Sequence, residues 1–229
     1  MARSSQFALL VFALAAVQLT QAAGSPNEEF VKAQHANKAA LREYTWQSRT
    51  ELRRDGEVKN VVLEQVRYDF DGVLQKTRIG GESSAPAGRG RRSGPVRNAV
   101  VAKKTEAFKD MMQDLGALVA SYANLPADKL QTFARHAGVS KDNAEYGTIR
   151  IAGRGVLQAD DALIVWVDPR NYVVRRVEIT TSYETHPVYA VADYRTLENG
   201  PTYQARSVLR YPHEEIELTT ETFDYQRAR

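Results

Sequence analysis

The chain has 229 residues, 43% hydrophobic and 26% charged, with a formal net charge of +3, which excludes a disordered chain, a collagen-like repeat and a multi-span membrane protein. So small an excess of Lys and Arg gives no ground for nucleic-acid binding. The absence of cysteine excludes disulfides, thiolate metal sites, iron–sulfur clusters, cysteine nucleophiles and lipid attachment through an N-terminal cysteine.

Met1-Ala2-Arg3 precedes an unbroken apolar run from Phe7 to Val17, and small residues follow at Thr20-Gln21-Ala22-Ala23-Gly24. A basic start, a short apolar stretch and a small-residue cleavage site predict a secretory signal over 1–23, cut after Ala22 or Ala23. The run is shorter than the roughly 20 apolar residues of a spanning helix. Residues 24–229 are then one domain, periplasmic or secreted.

Ser25-Pro26-Asn27-Glu28-Glu29 reads as a helix start, and Phe30, Ala33 and Ala40-Leu41 recur at helical spacing to about Glu43. From Tyr44 to Arg53 the pattern changes to a period of two. Tyr44, Trp46, Ser48, Thr50 and Leu52 share one face, which predicts a strand with one wet side. Asp55-Gly56 and Asp71-Gly72 are hairpin turns, bounding strands over Glu57–Phe70 and Val73–Ile79. Gly80–Asn98, rich in Gly, Ser, Pro and Arg, predicts a flexible basic loop.

Ala99–Ala123 is a predicted helix with an apolar stripe of Phe108, Met111, Met112, Leu115, Leu118, Val119 and Tyr122. Leu125-Pro126 ends it. Ala127–His136 predicts a shorter helix with Gly138 as its stop. From Thr148 onward the chain reads as about six strands, with turns at Asp168–Asn171, His186-Pro187, Asn199-Gly200 and Pro212-His213. The continuous run Ala162–Asp168 predicts a strand covered on both faces. The expected fold is α+β: a curved antiparallel sheet of about 8–9 strands, an open half-barrel, with helices packed on its concave face as a lid.

Ala162–Pro169 (ALIVWVDP), Tyr172–Ile179 (YVVRRVEI), Glu215–Leu218 with Phe223-Asp224-Tyr225 and, loosely, Tyr44–Arg49 carry a resemblance. Together they resemble the LolA-like periplasmic lipoprotein carriers and outer-membrane lipoprotein-sorting proteins, over about two-thirds of the mature chain. That resemblance implies an unclosed barrel with a helical lid over an apolar cavity, and a lipid or lipidated protein as partner.

The residues offer little to catalysis. His35, His136, His186 and His213 lie at no metal-ligand spacing, and no nucleophile elbow is present. Asp69 and Asp71 flank a hairpin turn and read as turn chemistry, and the pairs Asp160-Asp161 and Glu214-Glu215 read as structural. The expectation is therefore a non-enzymatic binding protein without metal or cofactor. Its hydrophobic ligand would meet Trp46, Val66, Tyr68, Phe108, Met111, Met112, Leu115, Trp166, Val177 and Ile179. Arg89, Arg91, Arg92 and Arg97 would touch an anionic membrane surface or an acidic protein, each worth on the order of 1 kcal/mol near such a surface. The alternative is a secreted interaction or envelope-sensor module with a fully packed core and no small ligand.

Overall fold

The computed structural model describes residues 36–82, 95–123, 125–141, 147–171 and 173–228. Ten strands follow in chain order: β1 (Tyr44–Arg54), β2 (Glu57–Tyr68), β3 (Leu74–Gly80), β4 (Gly138–Lys141), β5 (Ile149–Arg154), β6 (Ala162–Asp168), β7 (Val173–Tyr183), β8 (His186–Thr196), β9 (Thr202–Tyr211) and β10 (Ile216–Arg227). A long helix (Pro95–Ala123) and a short one (Ala127–His136) lie between β3 and β4. The predicted signal and most of the predicted first helix lie outside the described residues. Residues 36–41 are helical.

All ten strands form one antiparallel sheet in the order β3-β2-β1-β10-β9-β8-β7-β6-β5-β4. Two meanders therefore join through β1 and β10, so the first and last strands in chain order sit side by side, third and fourth in the sheet. β3 and β4 are the free edges, and the two helices connect one edge to the other. The sheet is curved and stays open, with the helices on one face.

The turn chemistry works as read at Asp55-Gly56, where both residues take positive φ (54° and 74°), the geometry of a tight hairpin. Other details differ from expectation. The turn between β7 and β8 is Glu184-Thr185, both at positive φ, and not His186-Pro187. Pro187 is instead the second residue of β8, at a strand start, where a missing N–H costs no ladder bond. The predicted loop 80–98 yields earlier to helix, which begins at Pro95, because proline fits the first helical turn. β4 replaces the predicted helix stop. The chain is already extended at Ala137 (ψ 133°), and Gly138 opens the strand. A four-residue strand with one large apolar residue, Val139, leaves no period to read.

One row of cross-strand partners builds the core. Leu52 on β1 pairs Leu218, which pairs Leu209, then Ala190, Ile179, Leu163 and finally Gly153 on β5. The long helix lays Met112, Leu115, Val119 and Tyr122 on this face. The row ends on a glycine because the Phe133 ring of the short helix occupies the place of a Cβ, 2.7 Å from it. Burying four such helix side chains contributes roughly 1.5–3 kcal/mol each, which is why the stripe faces inward.

The long helix is also pinned by polar contacts. Tyr122 donates its hydroxyl to Asp161 Oδ2 at 2.6 Å and meets Thr181 Oγ1 at 2.7 Å, and Tyr183 donates to Asp114 at 3.1 Å. Asp161, 1% exposed, also accepts from the backbone N–H groups of Val156, Leu157 and Gln158. Burial alone would raise its pKa. The hydrogen bonds from Tyr122 and those three amides outweigh it and hold the carboxyl below the usual range.

Candidate ligand-binding face

The helix-side face changes character along its strands. At the Leu52 end it is apolar and covered by the long helix. One step along, partners on β1, β10 and β9 carry hydroxyls: Thr50, Thr220 and Ser207, with Thr50 and Thr220 bonded side chain to side chain at 3.3 Å. A further step brings Ser48 opposite Thr222, and Gln204 opposite Tyr194. The Thr222 hydroxyl donates to the Gln204 carbonyl at 2.5 Å, tying the two pairs into one row across β1, β10, β9 and β8.

Beyond that row lies an aromatic cluster. Trp46 on β1 pairs Val66 on β2, which pairs Lys76 on β3. The Tyr225 ring stacks on Trp46 (5.3 Å between centroids, 9° between planes), Tyr68 tilts against its other neighbourhood at 5.7 Å, and Tyr203 meets Tyr225 at 4.3 Å. Trp46 and Val66 are fully buried, yet neither belongs to the core under the long helix. A bulge at Asp224 (φ 54°) makes this cluster: it offsets the β1–β10 register between Thr45 and Gln47 and turns Tyr225 onto the Trp46 ring.

Among the described residues four buried polar atoms here have no hydrogen-bond partner: Trp46 Nε1, Ser48 Oγ, Tyr194 OH and Gln204 Oε1. Buried polar groups in folded proteins are almost always bonded, and each one left alone costs about 1–3 kcal/mol. Burial pushes the Tyr194, Tyr225 and Tyr68 phenols up, so all three stay protonated. It also pushes the Lys76 ammonium down to about 8, against the pull of Glu64, whose carboxylate lies 4.0 Å away.

The far end of the face opens into a cleft of about 330 Å³ lined by Ala36, Asn37, Ala40, Glu43, Tyr44, Asn199, Gly200, Pro201 and Arg227. That volume is at the small end of ligand pockets. Asn37 fixes the cleft wall: its side-chain amide donates to the Thr202 carbonyl (2.8 Å) and accepts from the Thr202 N–H (2.6 Å), acting as one more strand residue beside β9.

Against known proteins, no protein-family description matches the chain, and no curated protein matches it. Two solved structures do. One is a LolA superfamily protein from Nitrosomonas europaea, with a TM-score of 0.37 and 10% identity over 90% of this chain and 95% of that one. The other is a DUF1329 family protein from Desulfovibrio piger, with a TM-score of 0.39 and 6% identity over 87% and 90%. At such scores and identities neither likeness says what this chain binds.

The residues expected to line a ligand site fall in three places. Met112, Leu115, Val177 and Ile179 are core, with Phe108 and Met111 packed partly buried against them. Trp46, Val66 and Tyr68 form the separate aromatic cluster. Trp166 lies on the opposite face of the sheet from Val177 and Ile179: it alternates with Val165 and Val167 and pairs Arg150 and Arg176, whose guanidinium groups each stand 5.9 Å from its ring. The strand β6 is accordingly buried on one face and half-buried on the other, not covered equally, because arginine stems rather than a second layer shield Trp166.

Arg89, Arg91 and Arg92 lie outside the described residues, and Arg97 falls in the first turns of the long helix. Gln204, Tyr194, Tyr203 and Tyr225 were missed. Their partners across β9 and β10 are set by bulges at Asp193/Tyr194 and Asp224, and a bulge reverses which residues face inward. Among the described residues no group of three or more His, Asp or Glu side chains comes together. His186 and His213 do stack, 3.5 Å between centroids, joining the start of β8 to the short turn Pro212–Glu214.

Proposed function

We propose that the chain is a non-enzymatic, extracytoplasmic binding protein that holds a hydrophobic ligand, a lipid or the acyl chain of a lipidated protein, at the Trp46 end of its helix-side face. One observation supports this above the others. Among the described residues the long helix packs at the Leu52 end, while the other end carries aromatic surface, buried polar atoms without partners among those residues and an adjoining cleft. A face built only to be core would have neither the orphan atoms nor the cleft. An extracytoplasmic location rests on the Phe7–Val17 run and the small residues after it.

Burial of an acyl chain supplies about 0.8 kcal/mol per methylene, so about ten methylenes reach micromolar affinity. Native mass spectrometry of protein purified from its own compartment is expected to show added lipid mass. An environment-sensitive dye should bind and be displaced by long-chain lipids, with Trp46→Ala and Tyr68→Ala each weakening it at least tenfold. If no mass is added and no dye binds, a packed interaction module is what remains.

A further inference from the structure

We propose that the stacked pair His186 and His213 is a pH-sensitive clasp. While at least one imidazole is neutral it holds two neighbouring turns and the Phe108–Asp114 stretch of the long helix to the sheet, and charging of both rings on acidification releases that stretch. The inference is independent of what the Trp46 end binds.

The pair is built from two separate turns. His186 opens β8 directly after the Glu184-Thr185 turn, and His213 lies in the single helical turn Pro212–Glu214 between β9 and β10. Their rings are 3.5 Å apart and 7° from parallel. Tyr211, 1% exposed, sets its ring at 68° to His186 and 63° to His213, and Tyr183 meets Tyr211 edge-on at 5.9 Å. The backbone on both sides is in the left-handed region, at Glu184 (48°), Thr185 (71°) and Glu215 (52°). A β-branched residue such as Thr185 resists that conformation, so contacts beyond the turn have to hold it. The stack is the contact that joins the two turns.

Two routes lead from the pair to the long helix. Tyr183 donates its hydroxyl to Asp114 at 3.1 Å. Glu214, next to His213, accepts from Arg54 at 2.5 Å, and the Arg54 guanidinium stands 5.3 Å from the centre of the Phe108 ring.

The charges around the pair admit one proton more readily than two. Glu184 and Glu214 both act on the Tyr211 phenol against which the rings rest. Arg54 already engages Glu214, which leaves Glu184 to face a first charged imidazole. A second has no such counterpart, and it sets two cations face to face at a separation that salt screens poorly. Histidine is the side chain that changes charge between pH 5 and 8. The doubly charged pair is the disfavoured state in the fold, so the hold is complete at the upper end of that range and is lost as pH falls through it.

The test is amide hydrogen exchange of the full chain at pH 7 and pH 5, corrected for the intrinsic rate, with NMR titration of the two imidazoles alongside. Protection across Phe108–Asp114 is expected to fall at least tenfold from pH 7 to pH 5, and across Leu118–Tyr122 less than threefold. His186→Phe and His213→Phe each keep a flat ring and allow only one charge, so each should abolish the fall. His136→Phe, at an exposed position on the short helix, should leave it intact. His213→Gln loses the stack at every pH and should show the lowered protection already at pH 7. The two imidazoles should titrate in two separate steps, and the remaining one in each phenylalanine variant in a single step. No selective fall, a fall that survives in both phenylalanine variants, or one common step for the two rings overturns the proposal.

Discussion

Asp161 and Gln204 are both polar, both buried on the helix-covered side of the sheet, and treated in opposite ways. Around Asp161 both carboxylate oxygens are met, by three backbone amides at 2.6–2.8 Å and the Tyr122 hydroxyl. Around Gln204 the side-chain oxygen has no partner, and the same holds for atoms of Trp46, Ser48 and Tyr194 nearby. The Asp161 end is finished as a fold, with the helix sealed to it. The Trp46 end is stable only because the rest of the sheet carries it, and unfinished polar surface of that kind is where a ligand gains most.

Substitutions should divide along that line. Asp161→Ala leaves three amide donors without their acceptor and the Tyr122 hydroxyl with Thr181 alone. It is expected to lose about 3–5 kcal/mol in urea unfolding, the largest effect of any single change. Leu115→Ala, at a wholly buried position under the long helix, should lose about 2–5 kcal/mol through its cavity, with little loss of dye affinity in the protein that remains folded. Acidification attacks the same finished half. The Asp168 carboxyl is held down at about 2, chiefly by the hydrogen bond from Arg170, with burial opposing, and Asp161 is likewise depressed. Their contributions are complete above the ordinary carboxylate pKa near 4 and are lost as pH falls from there through about 2. Unfolding free energy measured from pH 5 to 2 should fall accordingly, and Asp168→Asn should flatten the slope.

At the other end the sign changes. Ser48→Ala removes a buried hydroxyl with no partner among the described residues, so stability is expected to hold or to rise by about 1 kcal/mol while binding of an environment-sensitive dye weakens. A loss comparable to that of Asp161→Ala would erase the contrast. Smallest of all, Trp166→Phe, on the opposite face between two arginines, should cost no more than about 1 kcal/mol and leave dye binding unchanged.

Much of the scaffold was legible along the chain. Tyr44, Trp46, Ser48 and Leu52 alternate inward as their spacing requires, the Asp-Gly pair turns where it should, and the long helix buries the face its stripe marks. The binding face was legible only in part. Trp46, Val66 and Tyr68 were singled out, but they were grouped with Met112, Leu115 and Trp166, which lie in the packed core or on the other side of the sheet. Apolar side chains look alike in sequence whether they fill a core, line a site or sit beneath arginine stems. Nothing local in Gln204 or Tyr194 sets them apart from any half-buried strand residue.

What the chain determined by itself is short-range. Periods of two and of three to four residues, and turns that need left-handed backbone, follow from sterics and side-chain direction over a few positions. Tertiary structure decided the rest: the pairing of β1 with β10 across more than 160 residues, the bulge at Asp224, and the way these bring Ser48, Gln204 and Tyr194 into one row. Strand order and register are fixed by partners distant in sequence. A one-residue offset in register exchanges inside for outside, so no window of the sequence contains that choice.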